Sequence, residues 1–223
     1  MPIEPDAPTL LTGLNRVPPM ARGKVRDLRV RWALEEIGRP YATELFDAFQ
    51  ARPEDYLAWQ PFGQVPAFDD GHVRLFESGA ILLYLGEQDE RLLPREPQER
   101  WSATAWAMAA LNTIEPIVMT LVFVSVFHGD KPWSGAARAE AVPLLHQRLA
   151  QLDAALGDRE WLAGRFSIAD ILMVTVLRNL SADLLDPSSR LAAYTRRGEE
   201  RPAFARALEA QLSQFEPTEG AAS

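Results

Sequence analysis

The stretch from Gln60 to Leu85 reads QPFGQVPAFDDGHVRLFESGAILLYL, and the fold is read outward from it. Ala67 to Asp69 and Val73 to Phe76 flank Asp70-Gly71, a turn signal between strands that predicts a hairpin. Pro66 stands at the start of the first of these strands, where a residue that cannot donate to the ladder is tolerated. Ser78 to Glu87 then resumes helical periodicity. Upstream, Thr9 to Thr12 reads as a strand ending at Gly13. Lys24 to Ile37 reads as a helix with Val25, Leu28 and Trp32 on one face and Val30, Leu34 and Ile37 on a second. Gly38 and Pro40 stop it. Tyr41 to Phe46 reads as the next strand, and Pro53 to Trp59 as a short helical turn. The predicted order is β-α-β-α-β-β-α, the thioredoxin-like arrangement.

Downstream the composition changes. Arg91 to Glu99 carries Pro94 and Pro97 among charges and reads as a linker. Beyond it the chain reads as almost entirely helical. Gln98 to Phe127 predicts one long helix, with a kink at Pro116. Ser134 to Leu156 predicts a second, with Leu145, Leu149, Leu152 and Leu156 in step. Ser167 and Asp170 have the spacing of a capping box, and Phe166 and Ile171 that of a hydrophobic staple. Ser188 to Arg197 and Pro202 to Phe215 give two more helices, and Glu216 to Ser223 reads as a tail. The expected class is α/β plus all-α. Residues 1–90 form the thioredoxin-like domain, 91–97 the linker and 98–223 the all-helical domain.

Composition narrows the function. A chain of 223 residues, 47% apolar and 24% charged, builds its core without staples. It has no cysteine, which removes disulfides, thiolate metal sites and cysteine nucleophiles. The net charge of -8 comes with no basic stripe, so nucleic acid is not expected as a partner. His72, His128 and His146 are too far apart in sequence for metal-ligand spacing. Met1 to Leu14 has two acids, three prolines and no basic residue, unlike a secretory signal. Ile117 to Phe127, the longest apolar stretch, is short for a bilayer and reads as a buried helix segment. The expected setting is cytoplasmic, with no membrane association.

The two-part layout and the Gln60 to Leu85 run resemble the cytosolic glutathione transferases. RVRWALEE at Arg29 to Glu36 and FSIAD at Phe166 to Asp170 extend the resemblance more weakly over most of the chain. The resemblance implies glutathione as co-substrate, held by Gln64, Val65, Pro66, Glu77 and Ser78. A cis bond before Pro66 turns the Val65 backbone outward, where an extended peptide pairs with it like an added strand. The helix opening at Ser78 offers N–H groups and partial positive charge to the γ-glutamyl carboxylate. Glu77 would pair with the ligand's ammonium group, and the Gln64 amide would donate to its backbone. The bland readings are an ordinary strand-start proline, an N-cap serine and a surface glutamine.

Transfer chemistry needs a thiolate. A free thiol has a pKa of ~8.5, and lowering it by about two units means favouring the anion by roughly 2.7 kcal/mol. Members of the family use a Tyr, Ser or Cys near the end of the first strand or the start of the first helix. This chain has none of these from Leu10 to Val30, but the loop GLNRVPPMARGKVRD. In the tyrosine-type register that position falls on Pro18, and in the serine-type register near Val25. The substitutes are Arg22 and Arg26 by charge, the Thr12 hydroxyl, and backbone N–H groups opening the first helix. Against them stand two solvated arginines and a threonine that simply suits a strand.

The resemblance also implies an acceptor pocket where the domains meet, lined by Pro19 and Met20 with Trp101, Met108 and Asn112. The alternative for the last three is plain core or dimer interface. The acceptor would be an apolar electrophilic small molecule, the assembly a homodimer and the role detoxification. Two other readings stay open on the residues alone: another glutathione-dependent enzyme (reductase, peroxidase or isomerase), or a non-catalytic glutathione-binding or interaction protein.

Overall fold

Strand β1 (Leu10–Arg16) pairs in parallel with β2 (Ala42–Asp47), and on its other edge antiparallel with β3 (Ala67–Asp69). β3 pairs antiparallel with β4 (Arg74–Phe76), completing a four-stranded sheet of order β2-β1-β3-β4. A parallel pair needs a crossover, and helix α1 (Asp27–Ile37) supplies it. Helix α2 (Glu54–Trp59) precedes β3, and α3 (Ser78–Gln88) follows β4. The chain is described here from a computed structural model covering residues 3–216. The tail expected beyond Glu216 lies outside the described residues.

The thioredoxin-like order is as expected, with two boundary differences. β1 does not end at Gly13 but runs on to Arg16. A Cβ at Gly13 would stand 3.0 Å from Asp27 Oδ2 and 3.1 Å from Arg31 Nη2. The glycine therefore makes room for a buried ion pair, Arg31 Nε to Asp27 Oδ2 at 2.7 Å, rather than stopping the strand. α1 starts at Asp27 instead of Lys24, because Pro19–Ala21 forms a 3-10 turn and Gly23 takes φ +73°.

The chain divides into two compact units, one running to Leu92 and resuming at Arg201, the other covering Leu93–Glu200. Helix α9 (Pro202–Leu212) was expected in the helical domain by chain order, but it belongs to the first unit. The reason is α1, whose two apolar faces both need cover. One faces the unit's own sheet and α3, the other meets α9. Trp32 and Phe204 pack edge to face with centroids 4.9 Å apart. Around them Arg201 grips Glu36 with two bonds of 2.6 and 2.8 Å, Arg206 Nε meets Glu35 Oε2 at 2.7 Å, and Gln211 Nε2 reaches Asp27 Oδ1 at 2.6 Å.

In the second unit, α4 (Pro97–Ala109), α5 (Glu115–Val122), α6 (Ser134–Leu156), α7 (Ile168–Leu177) and α8 (Arg190–Glu199) form an all-helical body. The irregularity expected at Pro116 takes the form of a π-helical turn, Ala110–Ile114, just before it. The Glu115 N–H reaches back to the Ala110 carbonyl, a widening that accommodates the donor Pro116 lacks. A second π-helical turn covers Phe123–Phe127. The run Pro97–Phe127 is long and apolar enough to cross a membrane by length and composition. Its buried apolar side chains, Ala103, Ala107, Ala110, Ile114, Val118, Leu121 and Val124, recur every three or four residues. Asn112, Thr113 and Thr120 are exposed between them, as on a helix with one face in a core.

α7 is buried along its whole length. α8 approaches it so closely that a Cβ at Gly198 would stand 2.7 Å from Val174 Cγ2 and 2.9 Å from Cγ1. Gly198→Ala is therefore expected to cost about 1–3 kcal/mol through overpacking, despite alanine's better helix propensity. Urea unfolding checks this, and a midpoint at or above the wild-type value rejects the clash.

Candidate functional site

The hairpin register assembles the site. Ala67 pairs with Phe76, so the residues just before Ala67 and just after Phe76 leave the sheet at the same end. This brings Gln64-Val65-Pro66 alongside Glu77-Ser78. β1 runs antiparallel to β3, so the segment after β1, with Pro19, Met20, Arg22 and Arg26, starts from that end too.

The Val65–Pro66 peptide is cis. Among the described residues, the Val65 backbone N–H and C=O carry no hydrogen bond. Gln64 is exposed and Val65 half-buried. Ser78 is buried at the first turn of α3, and its Oγ accepts from Arg29 Nη1 at 3.1 Å. Glu77 precedes it, exposed, with φ 70° and ψ 116°. It is the one positive-φ residue other than glycine among the described residues. Such backbone is held at a cost of order 1–3 kcal/mol and clusters at functional sites.

Thr12 belongs to a different part of the machinery than expected. It is fully buried. Its Oγ1 accepts from the Ala67 N–H at 2.7 Å and lies 3.0 Å from the Tyr56 hydroxyl. Tyr56 in turn donates to the Gln64 carbonyl at 2.6 Å. The tyrosine's single proton is thus used, so Thr12 donates to Tyr56. The Thr12 proton is thus committed inside the unit rather than offered to a bound thiol. Burial pushes the Tyr56 phenol above its ordinary value, which keeps it a neutral donor.

Arg22 lies at the C-terminal end of the 3-10 turn. Its Nη2 donates to the Glu216 carbonyl at 2.5 Å, and its guanidinium stands 5.5 Å from the Phe215 ring centre. Its Nε is buried without a partner among the described residues. Glu216 is tied further by its N–H to the Asn15 carbonyl at 2.8 Å and by the Asn15 amide at 3.0 Å. The segment after α9 therefore straps the loop between β1 and α1. Arg26 is half-buried at the start of α1.

Of the residues expected to line an acceptor pocket, Pro19 and Met20 are exposed on the 3-10 turn of the first unit. In the second unit Trp101 is exposed and Met108 half-buried on α4, and Asn112 is exposed on the π-helical turn beyond. The helical unit also holds a cavity of about 450 Å³ between α6 and the segment entering α8, bordered by His146, Leu149, Asp153, Asp186 and Leu191. It includes none of these residues. No cluster of metal-ligating side chains occurs among the described residues.

Sequence reasoning missed Tyr56 and Arg29. Tyr56 offered no signal, because an aromatic residue in a short helix reads as core. Arg29 did carry one: it falls on the face of α1 between two apolar ones, where a charge needs a partner.

A thioredoxin-like unit with an outward-turned peptide edge beside a helix N-terminus, followed by an all-helical unit, defines a class of protein, and comparison agrees on its family. Residues 20–87 match the glutathione S-transferase N-terminal domain and residues 114–206 the C-terminal domain. Glutathione S-transferase GstA of Escherichia coli O157:H7 is 35% identical over 80% of this chain and 90% of its own. A glutathione S-transferase of Hyoscyamus muticus is 30% identical over 71% of this chain and 80% of its own. A glutathione transferase family member from Pseudomonas fluorescens, solved with two glutathione bound, superposes with a TM-score of 0.80 at 29% identity, covering 90% of this chain and 92% of that one. The chain belongs to the glutathione S-transferase family.

Proposed function

We propose that this protein is a glutathione transferase that brings the glutathione thiolate to an apolar electrophilic small molecule. The observation that carries the reading is the hairpin register, which sets the unpaired Val65 backbone beside Ser78 at one end of the sheet. The tripeptide's cysteinyl backbone pairs with Val65, and its γ-glutamyl carboxylate meets the start of α3 at Ser78. Glu77 takes the ammonium group and Gln64 the ligand backbone. With Thr12 committed elsewhere, Arg22 and Arg26 are the side chains we assign to the thiolate, by charge. Pro19, Met20, Trp101, Met108 and Asn112 are assigned to the acceptor. A cytoplasmic, homodimeric enzyme of detoxification, with no membrane or nucleic-acid partner, is the setting that fits the family.

Two measurements test this. Millimolar glutathione raises Tm if the site works, because a ligand bound only by the native state stabilises it. The thiolate absorbance of bound glutathione, followed against pH, then gives its pKa, expected about two units below the free value of ~8.5. Absence of a Tm shift rejects the binding site. A normal thiol pKa rejects activation, and a lowered pKa that survives in both Arg22→Ala and Arg26→Ala rejects the arginine assignment.

A further inference from the structure

We infer that Thr12 and Tyr56 are positioning residues for the ligand's backbone, acting through a hydrogen-bond relay that aims the Val65 peptide without touching the ligand. This rests on the glutathione reading above and adds two residues to it.

The relay has a fixed direction. The Ala67 N–H donates to Thr12 Oγ1 at 2.7 Å, Thr12 donates to Tyr56 Oη at 3.0 Å, and Tyr56 donates to the Gln64 carbonyl at 2.6 Å. Each hydroxyl gives its one proton once, so reversing any link would break another. The relay begins and ends on the two sides of Val65-Pro66.

Peptide planarity turns this into aim. In a trans peptide the C=O of one residue and the N–H of the next point in opposite directions. The Gln64–Val65 peptide is not among the cis bonds. Pulling the Gln64 carbonyl inward to Tyr56 therefore turns the Val65 N–H outward. On the far side, holding the Ala67 N–H on Thr12 turns the Pro66 carbonyl away from the interior. Two peptide planes are set by groups inside the unit, and the backbone between them is left for an extended ligand.

The hydroxyls are not required by packing. The Tyr56 ring packs tilted against Phe46 at 4.5 Å and edge to face with Trp59 at 6.0 Å, centre to centre, which a phenylalanine would reproduce. Thr12 is fully buried on a central strand, where valine has the same shape. What distinguishes the native pair is the proton path.

The test uses the full chain and glutathione itself, with Kd measured by calorimetry well below each variant's Tm. Tyr56→Phe and Thr12→Val are each expected to raise Kd ~5–10-fold, the scale of one buried hydrogen bond lost to a positioned group. The double variant should be little worse than either single one, because the relay acts as a unit. Thr12→Ser keeps the hydroxyl and should bind within about twofold of wild type. A Tyr56→Phe protein with lowered Tm and unchanged Kd would make the relay purely structural and overturn the inference. So would a Thr12→Ser protein as impaired as Thr12→Val, since the methyl group and not the proton would then matter. Should Thr12→Val not fold, Tyr56→Phe alone decides. If wild-type protein does not bind glutathione, the site assignment falls, and the inference with it; if wild type binds and Tyr56→Phe matches it, only the inference falls.

Discussion

Ser78→Ala is expected to raise the dissociation constant for glutathione ~10–100-fold and to lower Tm by a few degrees, because the buried Arg29 guanidinium loses an acceptor. The serine opens α3, where unpaired N–H groups and the helix dipole favour an anion. Its Oγ already accepts from the buried Arg29 guanidinium at 3.1 Å, and its own proton has no acceptor among the described residues. The hydroxyl is thus turned by Arg29 so that it can donate to a carboxylate. A hydrogen bond to a charged group is worth about 1.5–3 kcal/mol, and each 1.4 kcal/mol is tenfold in affinity. Calorimetric titration checks the value. Cysteinylglycine, which lacks the γ-glutamyl carboxylate, supplies the control: its weak binding should be the same in wild type and Ser78→Ala. Equal glutathione affinity in the two proteins would remove Ser78 from the site. Ser78→Thr retains the donor and should recover most of the loss.

Ser78 was legible in the sequence for the same reason that the hairpin was. The signals from Gln60 to Leu85 are local: a turn dipeptide, a strand-start proline and a serine at a strand-to-helix junction. Each constrains its own few residues, and together they fix the register that brings Val65 and Ser78 to one end. What was not legible is non-local. Thr12 and Tyr56 lie far apart in the chain, and each has a sufficient local explanation as a strand former or core aromatic. Only the folded positions show that their hydroxyls meet. Gly13 misled for a related reason. Its local reading is a strand end, while its actual constraint is the Asp27–Arg31 pair across the unit.

The place of α9 shows a sharper limit. Chain order assigned it to the helical domain, although α1 already carried the contrary signal. A helix apolar on two faces needs two partners, and the sheet with α3 fills only one side. The amphipathic face of α9, with Ala203, Phe204, Ala207 and Ala210 buried, is the matching half. The thiol-activating group was not legible at all. Charge alone places Arg22 among its candidates, yet Arg22 also tethers the segment after α9. Its two possible roles differ in what arginine-to-lysine replacement would spare.

Asp170→Ala is expected to be the most damaging single change in the helical unit, lowering stability by about 3–5 kcal/mol. The carboxylate is fully buried. Oδ1 accepts from the Leu162 N–H at 3.0 Å and the Tyr194 hydroxyl at 2.8 Å, and Oδ2 from the Ser167 N–H at 3.0 Å. With Ser167 it forms the capping box that opens α7, as the sequence predicted. Its removal strands three donors, from the loop before α7, from the cap and from α8. For a chain of this size roughly 2–4 °C of Tm goes with each kcal/mol, so a fall of about 10 °C is expected by calorimetry. A change within a degree or two would show that these donors find other acceptors.

The effect also has a pH signature. Burial pushes the Asp170 carboxyl from its ordinary 3.8 up to about 6. The native state therefore keeps its proton to higher pH than the unfolded chain does. The contribution to stability is full below the unfolded value and is lost as pH rises through the folded one. Asp170→Asn keeps one acceptor oxygen and cannot titrate. Its Tm deficit relative to wild type should therefore shrink between about pH 4 and pH 7. A deficit that grows over that range would mean the carboxylate is stabilised as the anion by its three donors, with the carboxyl shifted down instead of up. In either case glutathione affinity well below Tm should match wild type, because the groups assigned to the ligand all lie in the first unit. A variant with normal Tm and lost affinity would instead tie the α7 cap to the binding site.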